Sequence, residues 1–293
     1  QFGMGVAIWH LSRHIRPQPA VSACLCVLAV AWLAAVALVI VAGWVLRFWQ
    51  IGQQSLWFDE GYSAWVVTLA PWRIVEVIRH DVSPPLYYLL LKGWREIFGE
   101  SEAALRSMSA VASCLAVPVI AAIAWQITRS LGGVLVASLL MSVSVLQIQY
   151  AQEARSYGVA SLLMALALYG AVRRMQGSEW WLVLSAAMLA GSVYLHNMMW
   201  FYVAGFGLGY LVIPGRAGLG RRMAEFAAIS VAVILIYAWW IPALLGQVRW
   251  LHGNFWAPVP SPRDLAQVLV AAGGMKLMHL GMLARAWVIG WAV

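Results

Sequence analysis

Residues 21 to 46 hold no charged side chain, and that stretch exceeds the roughly 20 residues an α-helix needs to cross a bilayer. The block is too long for the apolar core of a signal peptide. Trp44, Arg47, Phe48 and Trp49 follow it, where a cleavage site would require small residues. It is therefore expected to be retained as a span. Further apolar blocks follow at about 104–126, 131–149, 156–172, 180–195, 198–213, 224–245 and 264–291. With 63% hydrophobic and 10% charged residues, the chain is too apolar for a water-soluble globule. The expected fold class is all-α: a polytopic transmembrane helical protein of about eight spans in a single domain, residues 1–293.

The loops between blocks carry the topology. Taking Arg13 and Arg16 as cytoplasmic, alternation places Arg129, Arg173, Arg174, Arg216, Arg221 and Arg222 on the same side, offset there only by Glu179 and Glu225. Such a bias is the positive-inside pattern of a plasma (inner) membrane protein with a cytoplasmic N-terminus. The net charge of +8 thus reflects topology; no basic–aromatic stripe suited to nucleic acid is present. Residues 50–103 hold seven of the eleven acids and form the first extracytoplasmic loop. Within it PLYYLLLKGWREIF (85–98) is too short and too charged for a span, so the loop is expected to hold two interfacial helices. A second extracytoplasmic loop is expected at 246–263, rich in Gly and Pro. Cys24, Cys26 and Cys114 all lie in apolar blocks, as packing residues rather than a disulfide framework.

Three segments bring ionisable groups to the extracytoplasmic boundary, where bare charge is costly and commonly functional. They are WFDEGYS with HDVSPPLYY (57–63 and 80–88), QYAQEARSYG (149–158) and YLHNMMW (194–200). Each residue also has a structural reading. Asp59 and Glu60 suit the N-terminus of the helix that follows them, and Asp81 with Pro84 and Pro85 suits the start of the next. Glu153 and Arg155 suit an ion pair tying one span to its neighbour. His196 suits a hydrogen-bonded histidine in a turn. The four sites together on one face exceed what topology requires.

On these residues the chain resembles the membrane glycosyltransferases of the GT-C fold. Within them it is similar to the bacterial branch related to protein O-mannosyltransferases and lipid A aminoarabinose transferases. The resemblance rests on LWFDEGYS (56–63), DVSPPLYYLLLKGW (81–94), FGESEAALR (98–106), YAQEARSY (150–157) and His196, and is dense over about residues 40–200. It implies transfer of a sugar from a polyprenyl-phosphate carrier to an extracytoplasmic acceptor, whether protein, lipid or glycan. Under it Asp59 is the general base and Glu60 its catalytic neighbour. Arg155, with Arg106 behind it, meets the departing phosphate, where negative charge grows. Asp81, Glu153, Tyr87, Tyr88, Tyr157, His80 and His196 are expected to bind sugar, carrier or acceptor. A divalent cation (Mg or Mn) on Asp59, Glu60 and Asp81 is one option and no cation the other. Against the family pattern the C-terminus looks truncated, which leaves room for a partner subunit. The rival readings are a non-catalytic membrane subunit and a transporter of lipid-linked substrate. The transporter would need charges deep in the membrane, for which Lys276, His279 and Arg285 are the candidates.

Overall fold

A computed structural model of the chain describes residues 19–254 apart from 214 and 216, together with 261. The block at 264–291, most of the 255–263 segment, and Arg13, Arg16, Arg216, Asp264, Lys276, His279 and Arg285 lie outside the described residues.

The described residues are helical and contain no strand. The first charge-free block forms α1 (Pro19–Phe48). The loop after it folds into α2 (Phe58–Val66), α3 (Pro71–Ile78) and α4 (Leu86–Phe98). Then come α5 (Glu102–Thr128), α6 (Leu131–Val143), α7 (Val145–Ala151) and α8 (Tyr157–Met175). The remaining helices are α9 (Trp181–Leu195), α10 (Met199–Val212), α11 (Leu219–Tyr237) and α12 (Ile241–Asn254), the last two joined by a 3-10 turn at Ala238–Trp240. Among the described residues four helical stretches are long and apolar enough to cross a membrane: Cys26–Phe48, Glu102–Thr128, Tyr157–Met175 and Leu219–Leu251. The pair α6–α7, bent by 52°, makes a fifth if counted as one span. The shorter apolar helices α9 and α10 fall on the blocks at 180–195 and 198–213. Seven of the eight apolar blocks therefore carry helix; the eighth is the one outside the described residues.

Two expectations about the loops are corrected. Residues 50–103 hold three helices rather than two, because Pro71 at the first turn of WRIVEVI starts a helix there. The segment 246–263 is not loop throughout: α12 runs on to Asn254.

Packing is organised around α5, which lies against α1, α4, α6, α7 and α8; α9 bridges α8 and α11. The loop helices share the core of the bundle, with Val66, Val67, Ile74, Ile78 and Leu91 fully buried in the same cluster as Leu105 of α5. That core makes α2–α4 a rigid cap over one end of the bundle instead of a floating loop.

The break between α6 and α7 is held by a residue that the sequence offers only as a lone charge at the end of a span. Arg47 of α1 is fully buried and donates to the carbonyls of Gly43 (2.9 Å), Ser142 (3.0 Å) and Met141 (2.8 Å) and to Ser113 Oγ (2.8 Å). Met141 and Ser142 lie in the last turn of α6, where carbonyls lack amide partners. The helices come this close because Gly43 has no side chain; a Cβ there would sit 2.7 Å from Ser142 Oγ.

Candidate active site

The centre is built on the first turn of α2. Asp59 and Glu60 are adjacent and both favoured at a helix N-terminus, yet their surroundings are opposite. Glu60 is 0% exposed. Arg106 of α5 grips it bidentately, Nε on Oε1 at 2.8 Å and Nη2 on Oε2 at 2.6 Å. The backbone amides of Ala154 (2.7 Å) and Trp57 (3.3 Å) donate to the same carboxylate. Arg106 spends its other donors on the carbonyls of Ile51, Gln54 and Ser55, at 3.0, 2.8 and 3.1 Å. Every polar atom of this pair is engaged, so the expected catalytic Glu60 and phosphate-binding Arg106 are instead enclosed side chains that tie the α2 turn to α5 and to the YAQEARSY segment.

Asp59 faces the other way. Its side chain is 38% exposed, and its Oδ2 lies 3.5 Å from Nη2 of Arg155, which is 15% exposed. A tight guanidinium–carboxylate bond is about 2.7–2.9 Å, so this pair is loose. Asp81 comes alongside from the loop after α3 and feels both Arg155 and Asp59. Burial pushes its carboxyl above the ordinary range, with further upward push from Asp59; the Val82 amide, Arg155 and Tyr62 pull against it. The Tyr62 hydroxyl, half-buried beside Asp81, is raised to about 12, by burial first and then by Asp81. Glu153 is also raised, by burial first and then by the nearby Glu60 carboxylate.

The YAQEARSY segment supplies half of this arrangement, and its residues divide between scaffold and site. Gln152 caps the end of α1 through the carbonyls of Leu46 (3.0 Å) and Trp49 (2.9 Å). Ala154 holds Glu60. The Arg155 carbonyl accepts from Ser109 Oγ of α5 at 2.7 Å, leaving its guanidinium to face Asp59. Tyr157 packs on Tyr150 (4.7 Å between centroids) and on His196 (5.9 Å). Gly158 is required by the close crossing here, since a Cβ would lie 2.5 Å from the Ser109 carbonyl oxygen.

The other expected residues separate by burial. Tyr87 and Tyr88 of α4 are buried, stacked edge to face at 5.6 Å, and Tyr88 meets Tyr62 at 6.2 Å. Burial raises both hydroxyls well above the ordinary tyrosine range. His196 accepts the Met198 amide on Nδ1 at 3.1 Å, and burial followed by Arg155 lowers its pKa. It is thus a neutral imidazole beside Arg155, with Nε2 left to donate. His80 is exposed and makes no side-chain hydrogen bond or ion pair among the described residues. The metal set of Asp59, Glu60 and Asp81 does not fit: Glu60 is taken by Arg106, and no three His, Cys, Asp or Glu groups converge among the described residues.

Sequence reading passed over Asn197 and Gln247, which hold the backbone of the loop bearing Asp81. Their only signal was a primary amide set in an otherwise apolar stretch.

The fold and site define a polytopic helical membrane protein with a carboxylate–guanidinium centre roofed by short loop helices, the build of a membrane glycosyltransferase of GT-C type. Residues 82–241, more than half of the 293, match the family of dolichyl-phosphate-mannose-protein mannosyltransferases, and the chain belongs to that family. It is a family of membrane glycosyltransferases whose sugar donors are polyprenyl phosphates. The matched segment contains Arg106, Glu153, Arg155 and His196; Asp59, Glu60 and Asp81 precede it. No curated protein matches the chain.

Proposed function

We propose that the chain transfers a sugar from a polyprenyl phosphate to an acceptor at the extracytoplasmic face of the plasma membrane, with Asp59 as general base. The observation that carries this reading is the unequal treatment of two neighbouring acids: Glu60 is saturated and sealed, while Asp59 is half-open and only loosely held by Arg155. A base must be able to take a proton, and a phosphate-binding cation must be able to change partners.

In the reaction the acceptor hydroxyl loses its proton to Asp59 as its oxygen bonds to the anomeric carbon. The bond from that carbon to the phosphate oxygen breaks, and the electron pair leaves with the phosphate, onto which Arg155 closes. Attack and departure occur on opposite faces of the sugar, so the anomeric configuration inverts. The donor sugar must also sit between base and cation, so the Asp59–Arg155 contact opens when substrate binds. His196 Nε2–H and the Tyr62 hydroxyl are donors for sugar or phosphate oxygens at the rim, and Asp81 orients a sugar hydroxyl. The saturated pair Glu60–Arg106 keeps the α2 turn fixed while Asp59 works. The protein's own residues supply all of these roles.

Turnover of a polyprenyl-phosphate sugar by the purified chain, with product stereochemistry read by NMR, tests the proposal. Inversion with the wild type and no product with Asp59→Asn support it. Transfer that persists in Asp59→Asn removes Asp59 as the base. A wild-type chain that binds the carrier but transfers nothing favours a non-catalytic subunit.

A further inference from the structure

Asp81 sits on a stretch, His80 to Pro85, that belongs to no helix and lies between α3 and α4. A loop that delivers a reacting-site carboxylate needs its backbone fixed, and this one makes few bonds of its own: the Asp81 amide donates to the Ile78 carbonyl at 3.2 Å. Beyond the contacts of the Asp81 carboxyl with Tyr62 and the Val82 amide and of Ser83 with Tyr88, its support comes from two neutral amides far along the chain. Gln247 of α12, 3% exposed, donates through Nε2 to the carbonyls of Ile78 (3.0 Å) and Ser83 (3.4 Å). Asn197, in the turn between α9 and α10, donates through Nδ2 to the Val82 carbonyl (2.9 Å) and to Gln247 Oε1 (3.0 Å). The Tyr237 hydroxyl of α11 donates to Asn197 Oδ1 at 3.0 Å and so fixes which way that amide points.

Three features make this more than incidental polar packing. Placing a primary amide among apolar packing is costly unless its hydrogen bonds are met, and here the buried Gln247 and the half-buried Asn197 are met by one loop and by each other. The carbonyls they hold bracket Asp81 on both sides: Ile78 before it, Val82 and Ser83 after it. Neither amide hydrogen-bonds Asp59, Glu60, Glu153 or Arg155, so the pair stands apart from the ion network.

We propose that Asn197 and Gln247 form an amide clamp that sets the position of Asp81, and are positioning residues for sugar transfer. The catalytic half of this inference rests on the proposed function. The clamp also makes the site depend on α12: the carboxylate of the first loop is placed by the last described helix.

Hydrogen exchange of the purified full chain, followed by mass spectrometry, tests the placement; transfer kinetics test its consequence. In Gln247→Leu and in Asn197→Asp, which keeps the acceptor for Tyr237 but loses the donors, exchange over residues 79–85 should rise while peptides of α5 and α8 stay protected. kcat/KM should fall on the order of 10²-fold, the effect of an ångström-scale misplacement. The double variant should lose little more than either single one, since both break one clamp. Unchanged exchange at 79–85 overturns the clamp, as does a rise spread over all helices. Loosening of 79–85 with unaltered transfer overturns the positioning role. If the wild type itself transfers no sugar, the proposed function falls, while the exchange result still decides the clamp.

Discussion

The two ends of the helix bundle use the same residue types to opposite effect. At the end where α8 stops and α9 and α11 begin, Glu225 accepts from Arg174, from Arg221 (3.1 Å) and from the Tyr210 hydroxyl (2.5 Å). Arg221 also pairs with Glu179, and Arg222 caps the end of α10 through the carbonyls of Tyr210 and Ile213. Acid and base there close on each other and knit three helices and the turn that leads into α9. At the other end Glu60 and Arg106 close in the same way, but one residue earlier Asp59 meets Arg155 only at 3.5 Å, beside a second carboxylate, Asp81, held against its preference. A membrane protein ties off charges where they serve only the fold. Among the ion pairs of the described residues Asp59–Arg155 is the longest, and that looseness is what separates site from scaffold.

Asp59→Asn should break the contrast most sharply. The loss of a general base is worth about 10²–10⁴-fold in turnover. Because Asp59 is half-exposed and loosely paired, detergent melting should stay near wild type. Glu60→Gln or Arg106→Met should do the reverse. Removing one partner of a buried pair leaves the other uncompensated, at about 3–5 kcal/mol, so these variants should lose thermal stability and with it all activity. If Glu60→Gln melts like wild type yet cannot transfer sugar, Glu60 belongs to the chemistry and the scaffold assignment is wrong.

At the opposite end Glu225→Gln should cost stability without touching the kinetics of the folded fraction. Weakened charge-assisted bonds to a half-buried carboxylate amount to about 1.5–3 kcal/mol, and Tyr210→Phe alone to about 1 kcal/mol. A change in KM for the carrier would show that the two ends are coupled.

The smallest expected effect is also a gain. Burial raises the Asp81 carboxyl above the 3.8 of an ordinary aspartate, so at neutral pH the fold holds a charge it disfavours. For an acid with a raised folded pKa, stability is greatest below the unfolded value and declines as pH climbs through the folded one. Asp81→Asn should therefore melt slightly higher than wild type at pH 7 while transferring sugar poorly. The difference should shrink as pH falls towards 3.8, as read by melting curves across pH. A variant less stable at neutral pH would mean that Arg155 and Tyr62 already compensate the Asp81 charge.

Much of this was legible in the sequence because hydropathy and charge are local signals. Seven apolar blocks became helices, and LWFDEGYS, DVSPPLYY and YAQEARSY converged on one end. The division of labour inside those motifs was not legible. Asp59 and Glu60 differ by one methylene and one position, and nothing nearby in the chain says which faces a guanidinium and which faces the opening. The three loop helices were also undercounted, since the eight residues of α3 are too few to show a period clearly.

The sequence by itself determined that the chain is an all-helical membrane protein, which loops share a face, and which acids gather there. These follow from the cost of placing charge in hydrocarbon, a cost each segment meets alone. Only the tertiary structure decided that Glu60 is sealed by Arg106, 46 residues on, that Arg47 holds the α6–α7 break, and that Gln247 reaches back 169 residues to Ile78. A buried polar group takes whichever donor or acceptor the packing brings within reach, and that partner is set by helix crossings, not by neighbours in the chain.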